Sequence, residues 1–263
     1  MQVDIVTIFP DFFTGPLAHG ILGRAIEAGL VQVNAHNLRD FTDDRHQTVD
    51  DRPFGGGEGM VLKAEPLFRA VESLGVAPKG SRDRAREQVI LLSAQGRTFS
   101  QSWAQALTRV KRITLLCGRY EGVDERVSDL LADEELSIGD YVLSGGELAA
   151  AVVIDALTRL LPGALGNADS ARNESFAVPG DAEEAAGGGI LDCPHYTRPY
   201  EFRGVAAPAV LNSGNHLQIR KWRRAQALAK TRRNRPDLLA RARLSAEDIE
   251  ILRAMDGLDT PKS

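Results

Sequence analysis

Three short apolar runs, each breaking into glycine at its downstream end, constrain this chain more than any other feature. Gln88–Leu92 runs into Ser93-Ala94-Gln95-Gly96-Arg97, and Arg112–Cys117 runs into Gly118-Arg119-Tyr120-Glu121-Gly122. Glu134–Leu143 ends in Ser144-Gly145-Gly146-Glu147, which opens directly into an apolar helical stretch reaching Leu161. The runs are of strand length, and the segments that separate them carry helical spacing, as in Ser100–Val110, where Ser100 can cap the first turn. Strands alternating with helices predict a mostly parallel α/β sheet covered on both faces. Val3–Phe9 adds a strand, and Gly20–Leu30 and Ala64–Leu74 add helices, whereas residues 31–60 read as polar and loop-rich.

Ligands in open α/β sheets bind beyond the carboxyl ends of the strands. Any one of these glycine segments could be an ordinary strand-to-helix connection. Together they predict one shared cleft, in which glycine lets backbone approach a ligand closely. The cluster Gly55-Gly56-Gly57-Glu58-Gly59 lacks the Lys-Ser or Lys-Thr of a phosphate loop and follows no strand, so both nucleotide fingerprints fail. It remains a close-approach loop beside Asp50, Asp51 and Arg52. No Gly-x-Ser-x-Gly elbow is present, and the five histidines and two cysteines show no ligand spacing, so no metal site is expected.

At 263 residues the chain can hold a large domain and a smaller one. The expected division is 1–162, a linker over 163–190 rich in Gly, Ala, Asp and Glu, and a mostly helical 191–263. His216–Thr231 has helical spacing, Pro236 can open another helix, and Ser245-Ala246-Glu247-Asp248 reads as a capping box. Charge is divided unevenly. Residues 219–243 hold ten arginines and lysines against the single acid Asp237, although the whole chain has a net charge of −4. That segment is either a solvated helix face or a surface for a polyanion, and Trp222 among the charges favours the polyanion. No apolar run is long enough to span a bilayer and the start has no signal-peptide pattern, so a cytoplasmic protein with reduced thiols is expected.

With these pieces assembled, the chain resembles the bacterial tRNA (guanine-37-N1)-methyltransferase family. The likeness is carried by Ile8-Phe9-Pro10, Arg39-Asp40-Phe41, His46 to Gly57, Leu92 to Arg97, Cys117 to Arg126, Ser137 to Glu147, Asp192 to Pro199 and Leu211 to His216, in the family's order. The resemblance implies a knotted SPOUT-class α/β domain followed by a smaller helical domain. It further implies a homodimer with the active site shared across subunits, and S-adenosylmethionine as methyl donor, with Mg²⁺ participation left open. Donor-site residues would be Leu92, Ser93, Gly118, Tyr120, Glu121, Gly122, Ile138, Gly139, Asp140, Tyr141, Val142, Leu143, Gly145 and Gly146. The implied acceptor is N1 of guanine 37, beside the tRNA anticodon, a modification that helps maintain the reading frame. No membrane or DNA partner is implied. The family's arginine falls on Arg159 and its general base on Glu174, where the family usually carries aspartate, with Asp169 as a nearby alternative. Arg220, Lys221, Arg223 and Arg224 would grip the tRNA.

Overall fold

The computed structural model describes residues 1–166, 174–177 and 189–258. The chain divides into two compact units, Met1–Gly166 and Asn167–Ser263. The first unit is built on a five-stranded, wholly parallel sheet of order β2-β1-β6-β5-β7. Its strands are β1 (Gln2–Thr7), β2 (Gln32–Asn37), β5 (Glu87–Thr98), β6 (Arg112–Cys117) and β7 (Glu134–Ser137), and a two-stranded ribbon pairs β3 (Asp50–Asp51) with β4 (Val61–Leu62). Helices α1 (Gly20–Glu27), α2 (Ala64–Ser73), α3 (Gln101–Leu107), α4 (Glu125–Leu130) and α5 (Glu147–Thr158) alternate with the strands. The expected α/β architecture is therefore present.

The strands' two-residue period sorts side chains between two cores. Val3 and Ile5 of β1, Ile90 and Leu92 of β5, and Ile113 and Leu115 of β6 pack with α1, α3 and α5. On the opposite face Val6, Val89, Leu91 and Leu116 pack with Leu67 and Val71 of α2 and Val127 of α4. Ser100 caps α3 as expected, accepting a hydrogen bond from the Trp103 amide at 3.3 Å.

Two boundaries differ from the sequence reading. Residues 32–37 form an edge strand rather than loop, in parallel register from Gln2 against Gln32 to Thr7 against Asn37. Its polarity hid it, because Asn34 and His36 are turned toward buried Asp4 rather than toward an apolar core. The Asp4 carboxylate accepts from Asn34 Nδ2 at 3.1 Å, His36 Nε2 lies 3.0 Å away, and Arg112 Nε of β6 donates at 2.8 Å. One carboxylate thus ties β2, β1 and β6 together. Strand β7 is shorter than expected and stops at Ser137, whose hydroxyl binds the Gly139 peptide, accepting from its amide at 3.2 Å and donating to its carbonyl at 3.0 Å.

Beyond β7 the chain makes an unusual crossing. Strand β5 pairs with β7 through Ile90–Leu92, bulges over 93–96, and pairs again through Arg97 and Thr98. The segment after β7 does not turn back along the sheet edge. Gly145 forms an antiparallel bridge with Arg119, and the Gly146 amide donates to the Gly118 carbonyl at 2.9 Å. Because β5 separates β7 from β6, residues 138–146 pass over the carboxyl end of β5 before entering α5. That helix packs against α1, α3, β1 and β6.

The second unit contains a hairpin, β8 (Glu201–Phe202) and β9 (Val205–Ala206), turned by Arg203 and Gly204 at φ of 54° and 77°. Two consecutive left-handed residues match the twist of a tight hairpin. Then follow α6 (His216–Asn234), α7 (Pro236–Leu239) and α8 (Ala246–Leu258). The expected capping box is formed: the Asp248 amide donates to Ser245 Oγ at 3.1 Å, and the Ser245 amide donates to Asp248 Oδ2 at 2.8 Å. Among the described residues no helix is long and apolar enough to cross a membrane.

Burial pushes the Asp4 carboxyl upward, but bonds from His36, Asn34 and Arg112 outweigh it and hold it below the usual carboxylate range. A lowered folded-state value stabilises above the unfolded value of about 4, and that contribution is lost as pH falls through the folded value. Asp4→Asn is therefore expected to cost about 2–4 kcal/mol at pH 7 and to show a shallower loss of stability below about pH 4, read from urea unfolding midpoints across pH.

Candidate active site

The carboxyl ends of β5, β6 and β7 converge on one open cleft with a cavity volume of about 210 Å³. Thirteen of the fourteen donor-site residues named from sequence line it: Leu92, Ser93, Gly118, Tyr120, Glu121, Gly122, Ile138, Gly139, Tyr141, Val142, Leu143, Gly145 and Gly146. Asp140 is exposed and does not line the cleft. Arg119, Asp124, Glu125 and Glu135 line it as well, although none was among the donor-site residues named from sequence. The first three sit inside or just after the glycine segment that follows β6, so the signal was available.

Glycine serves this site differently from the expectation. A Cβ on Gly146 would lie 2.7 Å from the Cys117 Cα, and one on Gly96 would lie 2.5 Å from the Glu135 carbonyl carbon. These glycines let one stretch of backbone cross another, so the space they free is filled by the chain itself. Gly139 differs, since its φ of 151° is one that L side chains rarely adopt. Tyr120 holds φ at 60° on the cleft wall, an uncommon conformation for an aromatic residue.

The loop at 55–59 acts as a buttress. The Glu121 amide donates to the Met60 carbonyl at 3.0 Å, and a Cβ on Gly59 would meet Glu121 Cγ at 2.5 Å. That loop supports the cleft's acidic wall, formed by Glu121, Asp124 and Glu125. Asp124 is held below the usual carboxylate range, chiefly by its hydrogen bonds from Arg126. Arg119, the cleft's basic residue, is engaged by buried Glu147 at 3.3 Å. A cleft with apolar walls, crossing backbone and several acids suits a small ligand that carries positive charge.

The family model for tRNA (Guanine-1)-methyltransferase TrmD matches residues 1–241. The chain belongs to this family. A tRNA (guanine-N(1)-)-methyltransferase of Koribacter versatilis is 58% identical over 258 residues, covering 96% of this chain and 97% of that protein. Another protein of that name, from Moorella thermoacetica, is 53% identical and covers 99% of this chain and all of its own length. A third, from Geotalea uraniireducens, is 52% identical, with 96% of both chains covered. The family is of the SPOUT class, and the crossing of 138–146 over β5 belongs to its knotted fold.

Other residues named from sequence lie elsewhere. Arg159 caps the carboxyl end of α5 in the first unit. Glu174 belongs to the second unit and opens a short turn that is fastened in place. The Phe176 amide donates to the Ile190 carbonyl at 3.0 Å, and Ser175 Oγ accepts from the Asp192 amide at 2.9 Å. At least this part of the expected linker is thus hydrogen-bonded to its own unit, while Asp169 lies outside the described residues. Arg220, Lys221 and Arg223 are exposed on α6. Arg224 is not, because it forms a two-pronged pair with buried Asp248 at 2.7 and 2.8 Å. That pair overcomes the upward push of burial and holds Asp248 low. Lys221 also has an acidic neighbour, Glu247, at 3.6 Å. Sequence spacing saw no interleaved acids within the basic helix, because these come from α8.

Asp192, Cys193 and His195 bring three ligand-type atoms within 4.8 Å, although their spacing matched no metal motif. The Asp192 carboxylate is already bonded to the Cys193 amide at 2.7 Å and to His195 at 2.9 Å, so the group closes on itself.

Gly146→Ala is expected to destabilise by about 2–3 kcal/mol in urea unfolding, since the Cys117 backbone cannot yield. Gly15→Ala, at helical φ and ψ with open space around it, should be neutral or stabilising by up to about 1 kcal/mol.

Proposed function

We propose that this protein methylates N1 of guanine 37 in tRNA, with the cleft at the β5, β6 and β7 ends holding S-adenosylmethionine. The observation that carries the reading is the convergence of three glycine-bearing strand ends on one cleft with an acidic wall. When bound, S-adenosylmethionine supplies a methyl group activated by a positively charged sulfur. The cleft's carboxylates, Glu121 foremost, complement that charge, and Leu92, Ile138 and Leu143 provide apolar wall. No resident metal is part of this reading, and Mg²⁺ stays an optional accompaniment to the donor.

The acceptor chemistry asks two things of the protein. Guanine N1 carries a proton, so a general base must remove it, and negative charge then develops toward O6. Glu174 takes the proton onto its carboxylate, one methylene longer than the family's usual aspartate. Arg159 donates to O6 and stabilises the developing charge. The exposed basic face of α6, with Arg220, Arg223 and Lys221, binds anticodon-stem phosphates. Arg224 acts in that face as a structural residue, through Asp248.

A homodimer sharing its active sites is supported by an apolar stripe on α5. Leu148 and Val152 lie one turn apart and are about half exposed. A cytoplasmic enzyme acting on tRNA beside the anticodon, where a methylated purine helps hold the reading frame, completes the reading.

Primer-extension mapping on tRNA transcripts incubated with protein and donor tests this directly: a stop at position 37 is expected, and a stop elsewhere overturns the assignment. Glu174→Gln should lower single-turnover methyl transfer by about 10²–10⁴-fold with donor affinity nearly intact, and near-normal turnover removes Glu174 as the base. Replacing Arg220 and Arg223 by Gln should weaken tRNA binding at every sequence and flatten the logarithmic salt slope by roughly 1.5. An unchanged slope would make those charges a solvated face only.

A further inference from the structure

Beneath the cleft lies a buried ionic link that the methyl-transfer chemistry does not use. Glu147 is the first residue of α5, and its side chain is almost wholly buried. One carboxylate oxygen accepts from Thr7 Oγ1, at the carboxyl end of β1, at 2.7 Å. The other lies 3.3 Å from an Arg119 guanidinium nitrogen, at the end of β6. Thr7 Oγ1 in turn accepts from the Phe9 amide at 3.0 Å, and the Arg119 guanidinium sits 4.5 Å above the Phe9 ring. These contacts join three segments far apart in sequence: the start of α5, the end of β6 and the end of β1.

The link passes directly under the glycine wall. A Cβ on Gly145 would lie 2.3 Å from Arg119 Nε and 2.5 Å from Glu147 Oε2. Gly145 is therefore bare because the ion pair occupies that space. The same pair bears on Cys117, whose thiol is pushed well up, first by burial and then by the Glu147 charge. As a stabiliser the arrangement is poor. Arg119 Nε is buried with no hydrogen-bond partner among the described residues, and buried ion pairs commonly contribute little net stability. What the pair does supply is register, because it holds the Arg119 and Gly145 backbones in their antiparallel bridge. That bridge places Tyr120 on one cleft wall and Gly146 on the other.

We infer that Glu147 is a positioning residue for the methyl donor, acting through Arg119 and braced by Thr7, and that it sets the spacing of the two cleft walls without touching the ligand. This rests on the reading of the cleft as the S-adenosylmethionine site. Thr7 is fully buried and does not line the cleft, so an effect of Thr7 on donor binding has no direct route.

The test is calorimetric titration of S-adenosylmethionine into the full chain and into Glu147→Gln, Thr7→Val, Arg119→Met and the Glu147→Gln/Arg119→Met double variant, with single-turnover rates at saturating donor and thermal midpoints. Glu147→Gln is expected to weaken donor binding by about tenfold and Thr7→Val by about fivefold, with rates at saturating donor within about twofold of the parent. The double variant should lose no more than the worse of its two single variants, since both break the same link. A lowered thermal midpoint with unchanged donor affinity in Thr7→Val would make the link structural only and overturn the inference. Should Glu147→Gln fail to fold, the nearly isosteric Thr7→Val carries the test alone. Absence of binding by the parent would instead overturn the donor reading itself, and the positioning role with it.

Discussion

The first unit depends on backbone crossing backbone at the carboxyl end of the sheet. Gly146 rests against the Cys117 Cα, and Gly96 rests against the Glu135–Leu136 peptide, at distances that leave no room for a β-carbon. Chains seldom thread in this way, because connections between neighbouring elements normally stay short and uncrossed. Here the crossing is also the origin of the cleft. Carrying residues 138–146 over β5 to reach β6 sets three strand ends and their peptide groups around one space. The site is thus a product of the topology, and its walls can move apart only if the crossing loosens.

Buried charge does related work at both ends of the sheet. At the amino end, Asp4 collects Asn34, His36 and Arg112 and so fastens an edge strand that is too polar to be held by apolar packing alone. At the carboxyl end, Glu147 collects Thr7 and Arg119 where the chain crosses itself. Each carboxylate serves groups from different elements, and the geometry it demands suits only one register. Removing one partner of such a group leaves the others buried without a counterpart, which is costly whatever the net contribution of the whole arrangement. In the second unit the Arg224–Asp248 pair and the Ser245 cap play the same part, tying α6 to the start of α8.

Much of this was legible in the sequence because local chemistry demanded it. The apolar runs that became β1, β5 and β6, the Ser100 and Ser245 caps, and the glycine segments around the cleft all follow from side-chain period, capping and glycine's freedom. The misses have a common cause. Strand β2 gives the core only Val33 and Ala35, and its other face is polar because Asn34 and His36 are satisfied by Asp4, thirty or more positions away. Arg224 read as one more surface cation because Asp248, which neutralises it, lies 24 residues downstream. Glycines read as room for a ligand are in part room for the chain.

The sequence by itself determined the α/β class, the parallel sheet, the three strand ends that meet at one cleft and, through the order of its motifs, the methyltransferase family. Each of these follows from residue type and short-range spacing. Tertiary structure alone decided which strands are neighbours, that the segment after β7 crosses β5 to reach β6, which charges are spent inside the fold, and that Thr7, Arg119 and Glu147 meet beneath the cleft. Those outcomes depend on contacts between residues up to 140 positions apart, and neither periodicity nor composition carries a record of which distant partner a buried polar group will find.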